Sequence, residues 1–344
     1  MMFTMEMEHT AVLPAGFTVR PVTMDDLATA VALYNTCSLA QMGQEMFTIE
    51  EIGAEWKYEE FDQSRSTRAI FTPNGQMVAY IEVWDTDSVP VSPWVWGRVH
   101  PEFEGLGLGT FLLTWAEARA RQAIDRVPEE ARMTMRCGAL STYQPANALL
   151  QEYGMVHTRS FLTMVVDLAE EPETAVFPPG IRITTQAELN DLRAVVRATD
   201  DAFKDHWGYV EQPEEENFRQ WQQWLDLDPH FDPSLWYLAM EGDEIVGVSL
   251  CRLKAQEDPT MGWVDTLGVR RPWRRRGLAE ALLRHSFREL HRLGQRSVGL
   301  GVDAESLTGA TRLYEKVGMY VRRQFFSYEK ELRPGIELAK RSLA

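Results

Sequence analysis

In the stretch LAEALLRHSFRELHRLG the apolar residues Leu278, Leu282, Leu283, Phe287, Leu290 and Leu293 recur at steps of mostly three and four. That spacing puts them on one face of an α-helix, which repeats every ~3.6 residues. Gly294 follows, and glycine readily takes the left-handed conformation that ends many helices, so the helix is predicted to stop there. A second helical pattern opens on a glycine-rich turn at Glu102, EFEGLGLGTFLLTWAEARARQ. Elsewhere the apolar runs are shorter. GQMVAYIEVW (Gly75–Trp84) and GDEIVGVSLC (Gly242–Cys251) each read as a polar glycine turn followed by a strand.

These elements come in pairs. WVWGRV (Trp94–Val99) parallels WVDTLGV (Trp263–Val269), and MTMRCGAL (Met133–Leu140) parallels SVGLGVDA (Ser297–Ala304). NALLQEYGM parallels ATRLYEKVGM, and the opening FTVRPVTMDDLATAVALYN parallels IRITTQAELNDLRAVVRAT. The offset stays near about 165 residues, which marks a tandem duplication. Each half reads strand, helix, helix, several strands, long helix, strand, helix, strands, a mixed α/β layered domain. The periodicity does not give the strand order. The acidic, proline-bearing segment AEEPETAVFPPG (Ala169–Gly180) reads as a linker. The expected division is 1–170 and 181–334, joined by 171–180 and followed by a tail, 335–344.

Composition narrows the function classes. The chain has 344 residues and a formal net charge of −16. That charge argues against nucleic acid, which needs a basic footprint, and favours the approach of a cationic small molecule. No apolar run reaches the ~20 residues needed to span a bilayer. The opening MMFTMEMEHT lacks the layout of a signal peptide, so a cytoplasmic location and no membrane partner are expected. The three cysteines, Cys37, Cys137 and Cys251, are far apart and form no C-x-x-C pair, so buried free thiols are expected. The seven histidines are scattered, and no metal is expected.

Against this acidity, RRPWRRRGLA (Arg270–Ala279) crowds five arginines into seven positions. A strand feeds this turn and a helix leaves it. A helix start presents unpaired N–H groups and a partial positive charge. Glycine lets a ligand approach the backbone, and arginine adds charge-assisted bonds to phosphate oxygens. Together these make an anion cradle. A Walker loop, G-x-x-x-x-G-K-S/T, is absent from both halves. GLGLG in the first half approaches G-x-G-x-x-G, but the third glycine is misplaced and no early βαβ unit surrounds it.

Arg274-Arg275-Arg276-Gly277-Leu278-Ala279 fits the pattern Gln/Arg-x-x-Gly-x-Gly/Ala and resembles the acyl-CoA pyrophosphate loop of the GNAT superfamily of N-acetyltransferases. WVDTLGV before it and GATRLYEKVGM after it fit the same family. The duplicated layout resembles the mycothiol-synthase-type tandem members. The resemblance implies two tandem α/β domains, each a mixed, mostly antiparallel sheet flanked by helices. It implies a splayed pair of central strands that holds the pantetheine arm of acetyl-CoA against the backbone of Leu267, Gly268 and Val269. It further implies that the N–H of Val269 polarises the acetyl carbonyl and that Arg274, Arg275, Arg276, Gly277, Leu278 and Ala279 hold the pyrophosphate. The expected acceptor is a small-molecule primary amine, and a monomer or homodimer is expected.

Acetyl transfer to an amine requires loss of an amine proton, polarisation of the carbonyl and protonation of the departing thiolate. By resemblance Tyr314 is the general acid; a phenol with pKa near ~10 is protonated at neutral pH. No covalent enzyme intermediate is needed, so Cys251 reads as a core residue. The base stays open. Asp265 shares a strand face with Leu267 and Val269 if the strand is regular. In mycothiol-synthase-like sequences the carboxylate falls two residues earlier, where this chain has Trp263. Asp205, His206 and Glu305 are rivals, as is a water relay. The segment AFKDHWGY (Ala202–Tyr209) is expected to form the acceptor wall through Asp205, His206 and Trp207.

The first half departs from the pattern. Glu104 stands where Arg or Gln is expected, and Leu150 stands where the second half has Tyr314. A carboxylate repels pyrophosphate and leucine donates no proton, so the first half is expected to be catalytically silent. A non-catalytic acyl-CoA-binding or scaffold protein, and a protein N-acetyltransferase, remain as alternative readings of the whole chain.

Overall fold

The computed structural model describes residues 12–256, 258–306 and 309–341. The opening MMFTMEMEHT lies outside them. The chain forms two compact units, residues 12–158 with 326–337 and residues 159–325 with 338–341.

The elements of the first copy are β1 (Thr18–Arg20), α1 (Leu27–Met42), α2 (Ile49–Glu55), α3 (Gln63–Ser66), β2 (Thr67–Phe71), β3 (Met77–Trp84), β4 (Trp94–Val99), α4 (Leu108–Arg121), β5 (Met133–Leu140), α5 (Gln144–Glu152) and β6 (Val156–Asp167). The second copy supplies β7 (Ile181–Thr185), α6 (Gln186–Leu189), α7 (Leu192–Phe203), α8 (Glu214–Leu227), β8 (Trp236–Glu241), β9 (Glu244–Arg252), β10 (Met261–Val269), α9 (Leu278–Arg292), β11 (Ser297–Asp303), α10 (Ala310–Lys316) and β12 (Tyr320–Arg333).

In the first unit the strand order is β1-β2-β3-β4-β5-β12. Its first three pairings are antiparallel, and β4 runs parallel to β5. In the second unit the order is β7-β8-β9-β10-β11-β6. There only β10 and β11 are parallel.

The apolar pattern explains the layers. Along β8, Tyr237 and Ala239 join a core with Leu278, Leu282, Leu283, Phe287 and Leu290 of α9. The alternate residues Trp236, Leu238 and Met240 join a core with Val195 and Ala198 of α7 and with Trp221 and Leu225 of α8. Side chains alternate across a strand, so α9 covers one face of the sheet and α7 with α8 the other. Both faces of β9 are therefore buried, and it reads as a continuous apolar run. Leu282, Leu283 and Leu290 are fully buried. Each contributes about 1.5–3 kcal/mol by leaving water. Leu293 is the exception to the predicted face: it lies at the helix end, and 46% of it is exposed. Gly294 follows at φ 93°, the left-handed stop.

The spatial division differs from the one expected from composition. Residues 171–180 do lack helix and strand. The unit boundary nevertheless falls at Thr158, inside β6, because Phe161–Asp167 pair with β11. The segment Phe326–Glu337 belongs to the first unit, and residues 338–341 belong to the second. A proline-rich stretch marks where regular structure lapses; strand pairing decides which unit a segment joins.

Candidate active site

The parallel pair β10 and β11 stays in register from Met261–Ser297 to Val264–Leu300. Beyond that point β10 continues along β9 to Val269, while β11 continues along β6 to Asp303. The two strands therefore part and leave a gap. At the parting point the register of β10 on β9 shifts between Val264 and Thr266, so Asp265 is the extra residue of a β-bulge. Arg270 N–H donates to Val246 O (3.0 Å), which turns the even-numbered backbone groups toward β9. By strand alternation the backbone groups of Leu267 and Val269 face the gap. Packing requires glycine at position 268. A Cβ on it would lie 2.9 Å from Phe203 and 3.0 Å from Ala202, where α7 ends against the strand.

The arginine-rich turn joins β10 to α9. Arg275 adopts φ 63° and Gly277 φ 83°. Left-handed residues in such a turn bend the backbone into an amide-lined concavity that receives anions. The first helical bond of α9 is Ala281 N–H to Gly277 O (3.0 Å). The amides of Leu278, Ala279 and Glu280 thus have no acceptor within the helix. A Cβ at Gly277 would meet nothing within 4 Å, so the mouth of the concavity is open. Arg275 and Arg276 are exposed, the latter 3.2 Å from Glu241.

Arg274 corrects one expectation. Its guanidinium points inward, not at the mouth of the loop. It donates to Val269 O (2.9 Å), Asp205 (2.6 Å) and Ala202 O (2.8 Å). One side chain thereby ties the loop to the end of β10 and to the end of α7. The planar guanidinium suits this, because it presents several donors in a fixed fork.

Tyr314 lies on α10 in the core beneath α9, and 7% of it is exposed. Burial pushes its phenol up to about 12, so it is protonated at neutral pH. No side chain among the described residues shifts the phenol further; burial is the one cause.

Asp265 does not stand on the face expected for it, because the bulge interrupts the alternation. Its carboxylate pairs with Arg252 (2.7 Å), which also holds Asp228 (3.1 Å). Burial raises its pKa, and Arg252 opposes the rise.

Asp205, His206 and Trp207 do come together. They line a recess of about 320 Å³ with Phe161, Thr163 and the end of β11, Gly301–Asp303. Neither Asp265 nor Tyr314 is on its wall. Arg274 holds the Asp205 carboxyl below the usual range, against the opposing effect of burial; Arg271 and Lys340 add to the lowering. Burial lowers the pKa of His206, and Arg274 lowers it further while Asp205 opposes. The imidazole is therefore neutral at pH ~7. Its ring lies 4.2 Å from Phe203. Trp207 is flanked by Arg159 at 4.9 Å and Arg341 at 4.6 Å. Glu305 pairs with Arg159 (2.7 Å). Sequence reasoning passed over Asp303, a carboxylate closing an apolar strand in SVGLGVDA; a strand-end acid beside the motif was the available signal.

The first copy keeps the loop and loses the rest. Glu104 (φ −66°, ψ 157°) matches Arg274 (φ −65°, ψ 158°), and Gly105 and Gly107 take φ 75° and 79°. Glu104, however, accepts from the Tyr143 hydroxyl. Leu150 is buried in the position that Tyr314 holds in the second copy. β4 pairs with β3 without any register shift, so this strand has no bulge where β10 has one. Arg98 stands where Gly268 stands, half-buried, with its guanidinium 4.2 Å over Trp96. The carbonyl of Val99 accepts from Cys37 Sγ (3.3 Å), where that of Val269 accepts from Arg274. All three cysteines are free and buried. Burial pushes Cys251 up to about 12, which excludes it as a thiolate at neutral pH.

Comparison with known proteins agrees with this geometry. The profile of the acetyltransferase (GNAT) family matches residues 33–144 and 195–319, once in each copy. A crystal structure of a GCN5-related N-acetyltransferase from Sphaerobacter thermophilus is 34% identical, with a TM-score of 0.79 over 95% of this chain and 99% of that one. A mycothiol acetyltransferase of Streptomyces scabiei is 29% identical over 264 residues, 74% of this chain and 75% of the relative. A tandem GNAT protein from the clavulanic acid biosynthesis pathway shares the fold at 12% identity, with a TM-score of 0.68. Among the described residues no helix is long and apolar enough to cross a membrane, and no cluster of side chains could hold a metal ion. With both copies matched and near-complete overlap with a solved relative, the chain belongs to the GNAT family of acyl-CoA-dependent N-acetyltransferases, as a tandem, mycothiol-synthase-like member.

Proposed function

We propose that the second copy transfers an acetyl group from acetyl-CoA to the primary amine of a small molecule, and that the first copy performs no chemistry. The observation that carries this is the parting of β10 and β11 after Val264 and Leu300, directly ahead of an open phosphate-type loop. The loop amides from Arg275 to Ala279, with the Arg275 and Arg276 side chains, hold the pyrophosphate. The backbone of Leu267 and Val269 receives the pantetheine arm as a strand and donates to the thioester carbonyl. Arg274 contributes by fixing the loop against β10 and not by touching phosphate.

Acceptor and leaving group are served from opposite faces of the sheet. The recess beside α7 holds the amine, and α10 carries Tyr314 on the face that α9 covers. His206 takes the amine proton. Asp205 is committed to Arg274, Glu305 to Arg159 and Asp265 to Arg252, whereas the His206 imidazole is neutral and on the recess wall. The amine nitrogen bonds to the carbonyl carbon, the C–S bond breaks, and Tyr314 gives its proton to the departing sulfur. A recess of about 320 Å³ suits a small acceptor better than a peptide. Relatives named mycothiol acetyltransferases make a mycothiol-type amine the first acceptor to test. The experiment is thiol release from acetyl-CoA by the full chain across a panel of small primary amines and one lysine peptide. Release with a small amine supports the reading. Release with the peptide alone, or with no amine, overturns it.

A further inference from the structure

Two carboxylates line the recess, and they are differently provided for. Asp205 has Arg274 at 2.6 Å and Arg271 at 3.6 Å, with Lys340 adding positive charge. Asp303 has far less. One of its oxygens accepts the Glu305 N–H (2.9 Å). The other lies 3.3 Å from Arg159 Nη2, but that nitrogen makes no hydrogen bond. The hydrogen bond of Arg159 goes instead to Glu305 (2.7 Å). Arg159 is only 8% exposed, it is held over the Trp207 ring, and its Nε is also unpartnered. The guanidinium is thus fixed beside Asp303 without satisfying it. Burial raises the pKa of Asp303 and nearby Glu305 adds to this, while the Glu305 amide and Arg159 oppose. A partly desolvated carboxylate without a hydrogen-bonded counter-charge is costly, and a cation that pairs with it recovers that cost. The other titratable side chains on the recess wall are the neutral His206 and the committed Asp205. Among the wall residues Asp303 is therefore the position from which the recess can receive a positive charge.

We propose that Asp303 binds the ammonium group of the acceptor, making it a specificity-determining residue of the second copy. This rests on the reading of the recess as the acceptor site; the bound ammonium releases one proton to solvent before its nitrogen attacks, and His206 takes the second. The test is calorimetry of the full chain with coenzyme A present, using glucosamine and its uncharged counterpart glucose as probes. The expected result is at least tenfold tighter binding of glucosamine to the wild type. Asp303→Asn is expected to abolish that preference and Asp303→Glu to keep part of it. Asparagine still accepts the Glu305 amide, so the strand end is retained; unchanged coenzyme A affinity in both variants checks the fold. Equal binding of the two sugars, no binding of glucosamine, or a preference that survives Asp303→Asn overturns the proposal. If the wild type prefers glucosamine and yet releases no thiol from acetyl-CoA with any amine, the acetyl-transfer reading fails while the role of Asp303 stands.

Discussion

Arg274 and Glu104 hold the same backbone conformation within a degree and carry opposite charges. Around them the two copies share turn, helix start and sheet order, so the fold places few demands on these side chains. The larger structural difference lies elsewhere. From Trp263 to Val269 the second copy has one residue more than the first has from Trp94 to Val99, and Asp265 is the residue that bulges. One insertion shifts the register of a central strand at the point where it leaves its parallel neighbour. The first copy instead places Arg98 where the second has Gly268. The two copies thus share turn, helix start and sheet order and differ in the central strand and in the first residue of the loop.

The comparison breaks first at the general acid. Tyr314→Phe is expected to lower kcat by about 10²–10⁴-fold with acetyl-CoA affinity unchanged, measured by steady-state thiol release and calorimetry. Leu150→Tyr in that background is expected to restore nothing, because the first copy lacks the bulge and its cleft carries Arg98. Any recovered turnover would show the first copy to be competent.

His206→Gln is expected to cost about 10²-fold in kcat/KM and to remove the acidic limb of its pH profile. The sign follows from the lowered pKa. The imidazole is neutral, and activity constant, above the usual histidine value of ~6.5; activity falls as the pH drops through the lowered value.

Arg274→Ala is expected to weaken acetyl-CoA binding by about tenfold or more, the scale of a lost charge-assisted hydrogen bond. In contrast, Glu104→Arg is expected to leave calorimetric stoichiometry at one coenzyme A per chain. Two equivalents would show that loop charge alone silenced the first copy.

The Asp205–Arg274 pair carries a smaller, pH-dependent effect. The folded-state pKa of Asp205 is depressed, so its stabilisation is present above the unfolded value of ~3.9 and is lost as pH falls through the folded value. The Tm difference between wild type and Asp205→Asn is expected to be constant near neutrality and to vanish in acid.

The smallest effect belongs to Asp265→Asn. Turnover is expected to stay within about twofold with the pH profile unmoved, and stability to change by ~0–1 kcal/mol, as for other partly exposed ion pairs. A displaced acidic limb would return Asp265 to the mechanism and remove His206 from it.

The linear order of residues determined a good deal. Helical periodicity placed α9 and its buried face, and the repeat at constant offset disclosed two α/β copies. The loop motif, the departures from it at Glu104 and Leu150, and the recess-lining segment at Asp205–Trp207 were also legible, because each depends on residues close together in the chain. What tertiary structure alone decided involves partners far apart in sequence. Arg274 turns inward because Asp205 and Ala202 wait at the end of a helix some seventy positions upstream (|i−j| of 69 and 72). Asp265 leaves the active face because β9 fixes where the bulge falls. Asp303 lacks a hydrogen-bonded counter-charge because Arg159, 146 positions before Glu305, spends its hydrogen bond on that glutamate. Periodicity reports which face a residue occupies; only folding fixes which charge meets it there.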